Sequence, residues 1–252
     1  MESISLPNEG PAARARRIAL FATRYFDCNP LRYRADRCYN PLAAGVTYVR
    51  NRLRFRAVAM PYGVIHIDPR VVRWNLRVRA KSLPIGLIRD GDWDIKQRRP
   101  VDIAWKLSSM RQRFVAGLEW EDTDLFQRFY RPRFASGEQV RGTTSLTELA
   151  GVYRRAYDPL FESIRKHGFL TPSLENPGVS FVYVHIDRGG EFMFTRGGNH
   201  RLGMALALGL RSMPVRVVTR HLAWQRVREE VKQGLRPATS FAGHPDLCDL
   251  RG

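Results

Sequence analysis

The stretch Val182-Tyr183-Val184-His185-Ile186-Asp187-Arg188-Gly189-Gly190-Glu191-Phe192-Met193-Phe194-Thr195-Arg196-Gly197-Gly198-Asn199-His200-Arg201-Leu202 decides how this chain folds. Val182 to Ile186 is a short apolar run closed by Asp187-Arg188-Gly189-Gly190. Glu191 to Phe194 is a second run, closed by Gly197-Gly198. Leu202 to Leu208 reads as helix ended by Gly209, and Met213-Pro214-Val215-Arg216-Val217-Val218 reads as a further strand. Short apolar runs between glycine turns predict strands, and a trailing glycine predicts a helix end. The order is strand, turn, strand, Gly-Gly turn, helix, strand.

A glycine pair that opens a helix, followed by polar and basic residues, suits an anion. Glycine lets the backbone approach closely, the first N–H groups of a helix are free to donate, and the helix dipole favours negative charge. Gly197, Gly198, Asn199, His200 and Arg201 are therefore the candidate phosphate-binding residues. His200, with an unperturbed pKa near 6.5, is also the candidate general acid or base. The plain alternative is a tight turn needing positive φ, which leaves the His-Arg pair unexplained. Arg220 and His221 follow the strand expected beside this loop. Ligands in such layouts collect near strand ends, so both are expected in the same cleft. His221 reads equally as the cap of a last helix, about Ala223 to Gln233. His66 and His185, inside apolar runs, read as structural.

The charge balance narrows the partners. Forty-two Lys and Arg against 24 Asp and Glu give a net +18 over 252 residues. Such a field attracts polyanions: nucleic acid, anionic lipid or a phosphorylated small molecule. No apolar run approaches the roughly 18 residues of a membrane span. Met1 to Gly10 lacks the order of a signal peptide, and a soluble, cytoplasmic protein is expected. Cys28, Cys38 and Cys248 lack metal-ligand spacing and read as reduced thiols.

Upstream, Met1 to Pro11 reads as disordered and Ala12 to Tyr25 as a basic helix. Over residues 46–60, Val49, Leu53, Phe55 and Val58 alternate with Arg50, Arg52, Arg54 and Arg56. Period two predicts a strand with one basic face. Such an arm touches membrane or nucleic acid, or is a solvated flank. Val64 to Pro69 is a short strand. Leu107 to Leu118 reads as a helix, as does Asp124 to Tyr130, stopped by Pro132. Ser145 to Lys166 reads as two helical stretches, opened by a Ser145/Glu148 capping box and ended at His167-Gly168. Asp90-Gly91-Asp92-Trp93-Asp94 is either a turn around a packed Trp or a Mg²⁺ site using Asp92 and Asp94. In Glu119-Trp120-Glu121-Asp122-Thr123, Asp122 or Thr123 is a cap candidate, and a catalytic carboxylate is the alternative.

The order of parts in the C-terminal half resembles the ParB/sulfiredoxin superfamily. Leu160 to Pro172 is similar to its "L..SI...G...P" helix, residues 181–194 to the two strands that follow, and Gly197 to Leu202 to its phosphate loop. Val64 to Pro69 is similar to its first strand. The resemblance spans roughly 90 residues. It implies an α+β fold with a small mixed sheet and flanking helices over residues 61–235. A mostly helical insertion would occupy about 70–150, after a basic extension at 1–60 and before a loose tail at 236–252. Asn199 stands where sulfiredoxin-like enzymes carry a reactive Cys, and the chain after Arg220 is too short for a partition-type DNA-reading domain.

The resemblance therefore implies a less familiar, bacterial branch. Some such branches are small-molecule kinases, and others bind or hydrolyse nucleotides. The expected function is nucleotide binding, with ATP or another nucleotide and Mg²⁺, extending to phosphotransfer on a small molecule. The alternatives are a nucleic-acid binder using the Arg-rich N-terminal segment and a non-catalytic scaffold.

Overall fold

A computed structural model describes residues 41–76, 83–96, 98–100, 105–169, 181–195, 198–237, 241 and 243–250. Met1 to Pro11, the expected helix Ala12 to Tyr25, Cys28 and Cys38 lie outside them. The described chain is an α+β protein built on a seven-stranded mixed sheet. Its strands are β1 (Val64–Ile67), β2 (Trp74–Leu76), β3 (Leu87–Arg89), β4 (Arg98–Pro100), β5 (Val182–Ile186), β6 (Phe192–Phe194) and β7 (Met213–His221). Its helices are α1 (Pro41–Arg54), α2 (Trp93–Lys96), α3 (Trp105–Phe114), α4 (Arg131–Ala135), α5 (Leu146–His167), α6 (Asn199–Ala207) and α7 (Leu222–Lys232). Among the described residues, no helix is long and apolar enough to cross a membrane.

The sheet order is β1-β7-β5-β6-β2-β4, and β3 shares the β1 edge of β7. The two central strands, β5 and β7, run parallel, with Val182 opposite Val215 and Ile186 opposite Arg220. All five residues of β5 are buried, as strands covered on both faces require. Asp187 closes the β5–β6 hairpin: its Oδ1 accepts from the Gly189 and Glu191 amides at 2.9 and 2.8 Å.

One sheet face carries Val182, Val184, Ile186, Phe194, Val215 and Val217, packed against Leu202 and Ala205 of α6 and Trp224 of α7. On its far side α6 places Met204 in a helical layer with Met110, Trp120, Phe126, Leu149, Tyr153 and Phe161. The opposite sheet face packs Phe181, Tyr183 and Val218 against Ala44 of α1, Tyr62 and Ile85.

The structure corrects several sequence expectations. Residues 46–60 do not form a basic strand, because Pro41–Arg54 is a helix. Leu42, Val46, Val49 and Leu53 have helical spacing, which the alternating arginines hid. Within the stretch 70–150, three short strands, β2, β3 and β4, join the main sheet beside the helices. Pro132 does not stop a helix. The π-helical turn Leu125–Tyr130 runs directly into α4, with Pro132 in the first turn of α4. α5 is one 22-residue helix containing Pro159, not two. The tail is not loose throughout, because Pro245–Leu250 forms a 3-10 helix with Asp246 and Leu247 buried.

Candidate functional site

The loop before α6 lies across the start of β5. Its cap residue, Gly198, has φ 83° and ψ 20°. A Cβ there would stand 3.1 Å from the Val182 Cα and 3.3 Å from the Phe181 carbonyl oxygen. Glycine is required both by the left-handed backbone and by this approach. No described side chain caps α6, and the Leu202 amide makes its bond to the Gly198 carbonyl at 2.9 Å. The amides of the first turn thus lack intrahelical acceptors and sit at the positive end of the dipole. Arg196 and Gly197 lie outside the described residues.

His200 turns from this first turn toward α5. Its ring stacks on Tyr157 at 4.0 Å and 28°, and meets Tyr153 edge-on at 5.6 Å. Its Nε2 is buried without a hydrogen-bond partner among the described residues. Burial, then the charges of Arg141, Lys106 and Arg201, hold its pKa down to about 3. At neutral pH it is therefore a neutral imidazole with one N–H. It suits hydrogen bonding to a ligand, but not proton exchange near pH 7, so its surroundings do not support the expected acid–base role.

The three cations around His200 come from three places. Arg201 belongs to α6 and Lys106 to α3. α3 and α6 approach so closely that a Cβ on Gly203 would stand 2.6 Å from the Met110 Cγ. Arg141 comes from the turn before α5 and has a φ of 53°, uncommon for a residue with a Cβ. Its guanidinium lies 5.0 Å over the Tyr153 ring and donates to the Tyr157 hydroxyl at 3.2 Å. Tyr153 shares a 2.6 Å hydrogen bond with Tyr130, and burial pushes its phenol far above the usual range. Tyr153 is thus an uncharged wall beneath a cation. Sequence reading missed Arg141, Lys106, Tyr153 and Tyr157. None carries a local motif, and only packing of α3, α5 and α6 unites them.

Arg220 and His221 are not brought to this loop. Gly198 touches Val182 at the start of β5, whereas Arg220 pairs with Ile186 at its end. Four strand steps of about 3.3 Å separate them by roughly 13 Å. Arg220 is buried and ion-paired with Asp246, which also accepts from Trp224 Nε1 at 3.0 Å. Arg228 joins this cluster, donating to Ala57 and Asp249 at 3.0 and 2.7 Å. Burial pushes the Asp246 carboxyl up, but Arg220, Arg228 and Trp224 together hold it down at about 2. His221 caps α7, accepting from the Ala223 amide at 3.0 Å, which is the alternative the sequence allowed.

Asp92 and Asp94 do not present free ligands for Mg²⁺. Arg188 donates to both Asp94 oxygens at 2.8 Å and to Asp92 at 3.0 Å. Asp94 is buried beside His221, at the β7 end remote from the loop. Among the described residues no cluster of His, Cys, Asp and Glu could hold a metal ion. These carboxylates do not fit a metal bridging phosphates at Gly198. Glu119-Trp120-Glu121-Asp122-Thr123 is structural: Glu119 and Glu121 hold Arg154, Trp120 Nε1 donates to Asp158 at 2.9 Å, and Thr123 Oγ1 donates to the Trp120 carbonyl at 2.7 Å.

Comparison with protein families, with curated proteins and with solved structures returns no match. The chain is an α+β protein with an uncapped, cation-ringed helix start as its best-formed candidate site.

Proposed function

We propose that this protein binds a phosphate-bearing small molecule, a nucleotide first among them, at the start of α6. The observation that carries the reading is His200 in the first turn: its Nε2 is buried without a partner among the described residues, and the charges of Arg141, Lys106 and Arg201 act on its ring. Their positive charge favours an anion there, and the first-turn amides supply directed donors. Tyr157, already stacked on His200, offers an aromatic edge for a base. The ParB/sulfiredoxin-like scaffold belongs to the same proposal. Its support is the order of strand, hairpin, glycine loop, helix and strand. The reading is one of binding. With His200 neutral and Asp92 and Asp94 held by Arg188, none of the described residues at the loop argues for phosphoryl transfer.

Thermal unfolding with ATP, ADP, CTP, GTP and inorganic phosphate tests it. A ligand at 100 times its Kd stabilises by about 2.7 kcal/mol, or about 5–10 °C at this size. Arg141→Ala, at an exposed turn, is expected to weaken binding at least about tenfold, the loss of one charge-assisted bond. No shift with any of the five ligands refutes the proposal, and an undiminished shift in Arg141→Ala places the site elsewhere.

A further inference from the structure

α1 presents an apolar stripe to solvent. Leu42, Val46, Val49 and Leu53 are 68%, 70%, 45% and 84% exposed. At 100° per residue they fall within about 60° of one another. The opposite side of the helix is the buried one, through Ala44 and Asn51. Asn51 Nδ2 donates to the Gly86 carbonyl at 2.8 Å, and the chain after α1 is pinned where the Ala57 amide donates to Glu229 at 2.6 Å. The outward orientation of the stripe is therefore fixed by the core contacts.

The charges beside the stripe select what covers it. Arg50 and Arg54 flank it on one side and Arg52 on the other, roughly 70–110° away, and all three are exposed. A second copy of α1 would bring like charges together. The basic segment Ala12 to Tyr25 would do the same with Arg14, Arg16, Arg17 and Arg24. A nucleic acid would satisfy the arginines and leave the leucine and valines in water. A surface that takes both has negative charge above and hydrocarbon just below. The stripe runs along a helix of 14 residues, about 21 Å, a length that suits lying on a plane.

We propose that α1 is an interfacial helix that seats this protein on a bilayer containing anionic phospholipid. Leu42, Val46, Val49 and Leu53 enter the acyl boundary, while Arg50, Arg52 and Arg54 lie among the headgroup phosphates. This surface is independent of the phosphate site on α6.

Vesicle flotation of the full chain tests the assignment, using phosphatidylcholine vesicles with and without phosphatidylglycerol. Binding is expected to the anionic vesicles and to weaken steeply in 0.5 M salt, since each interfacial arginine contributes about fivefold at low salt. Val46→Asp with Leu53→Asp is expected to lower binding at least about tenfold. Both positions face solvent, so this variant keeps the melting temperature of the parent. Absent binding to anionic vesicles, or binding that the double variant retains, overturns the proposal. So does a lower melting temperature in the double variant, which would mark a cover within the chain. A parent that self-associates in light scattering, through a contact the double variant breaks, would mark a copy–copy interface and overturns it too.

Discussion

Mild acid is predicted to weaken this fold through two histidines with buried ring nitrogens. His185 lies in β5 with both ring nitrogens buried and unpartnered among the described residues. Burial, then the charge of Arg89, holds its pKa down to about 3. His200 is held at about 3 as well. The unfolded chain takes up a proton at each near 6.5, while the native chain waits until about 3. Their stabilising effect is therefore complete above pH 6.5 and is lost as the pH falls toward 3. Each histidine contributes a slope of up to about 1.4 kcal/mol per pH unit within that window. Between pH 6.5 and 5 that integrates to about 1.6 kcal/mol each and about 3 kcal/mol for the pair, a large part of an ordinary domain's stability. His244, also lowered by burial, acts in the same direction. Asp68 and Asp246, with pKa values of about 2, begin to act only as the pH approaches the ordinary carboxylate value of about 4. Urea unfolding followed by tryptophan fluorescence at pH 7.5, 6.5, 5.5 and 5.0 measures the slope. His185→Leu is expected to reduce it by one proton's worth. Saturating phosphate is expected to reduce it again, because an anion beside His200 draws its pKa upward. A flat profile from pH 7 to 5 refutes the reasoning for both residues. An unchanged slope in His185→Leu refutes it for His185, and an unchanged slope with phosphate removes the anion from His200.

Three substitutions extend the test. Gly198→Ala is expected to cost about 1–2 kcal/mol for the left-handed backbone alone, with more from the contact at Val182. It should weaken phosphate binding in calorimetry, and full affinity in a folded variant would mean the loop is not the site. Asp246→Ala leaves Arg220 and Arg228 buried without their shared carboxylate, and denaturant unfolding should show a loss of about 3–5 kcal/mol. A loss under 1 kcal/mol would show that the C-terminal 3-10 helix is not stapled to the core. Arg188→Ala strands the buried Asp94 carboxylate and is expected to lower the melting temperature. Phosphate affinity should not change, and a phosphate affinity that becomes Mg²⁺-dependent in this variant would restore the metal reading of Asp92 and Asp94.

The physics of neighbouring residues made part of this protein legible from its sequence. The β5–β6 hairpin follows from two apolar runs and an Asp-Arg-Gly-Gly turn. The start of α5 follows from Ser145, whose Oγ accepts from the Glu148 amide at 3.2 Å, and its end from Gly168 at φ 70°. The uncapped start of α6 follows from Gly198. Each is decided within a few residues by backbone conformation, side-chain period and local hydrogen bonding. What failed depended on partners far along the chain. Residues 41–54 satisfy both a two-residue and a helical period, and burial of Ala44 and Asn51 settled the matter. Arg220 and Arg201 look alike as basic residues beside apolar runs. One faces Asp246 in the core, and the other stands by His200 near the far end of β5. That separation is fixed by strand register, which no local pattern encodes. The ring of Arg141, Lys106 and Arg201 is likewise a product of packing α3 and α5 on α6. The sequence by itself determined where an anion can be gripped by backbone, and the tertiary structure alone decided which charges surround that grip.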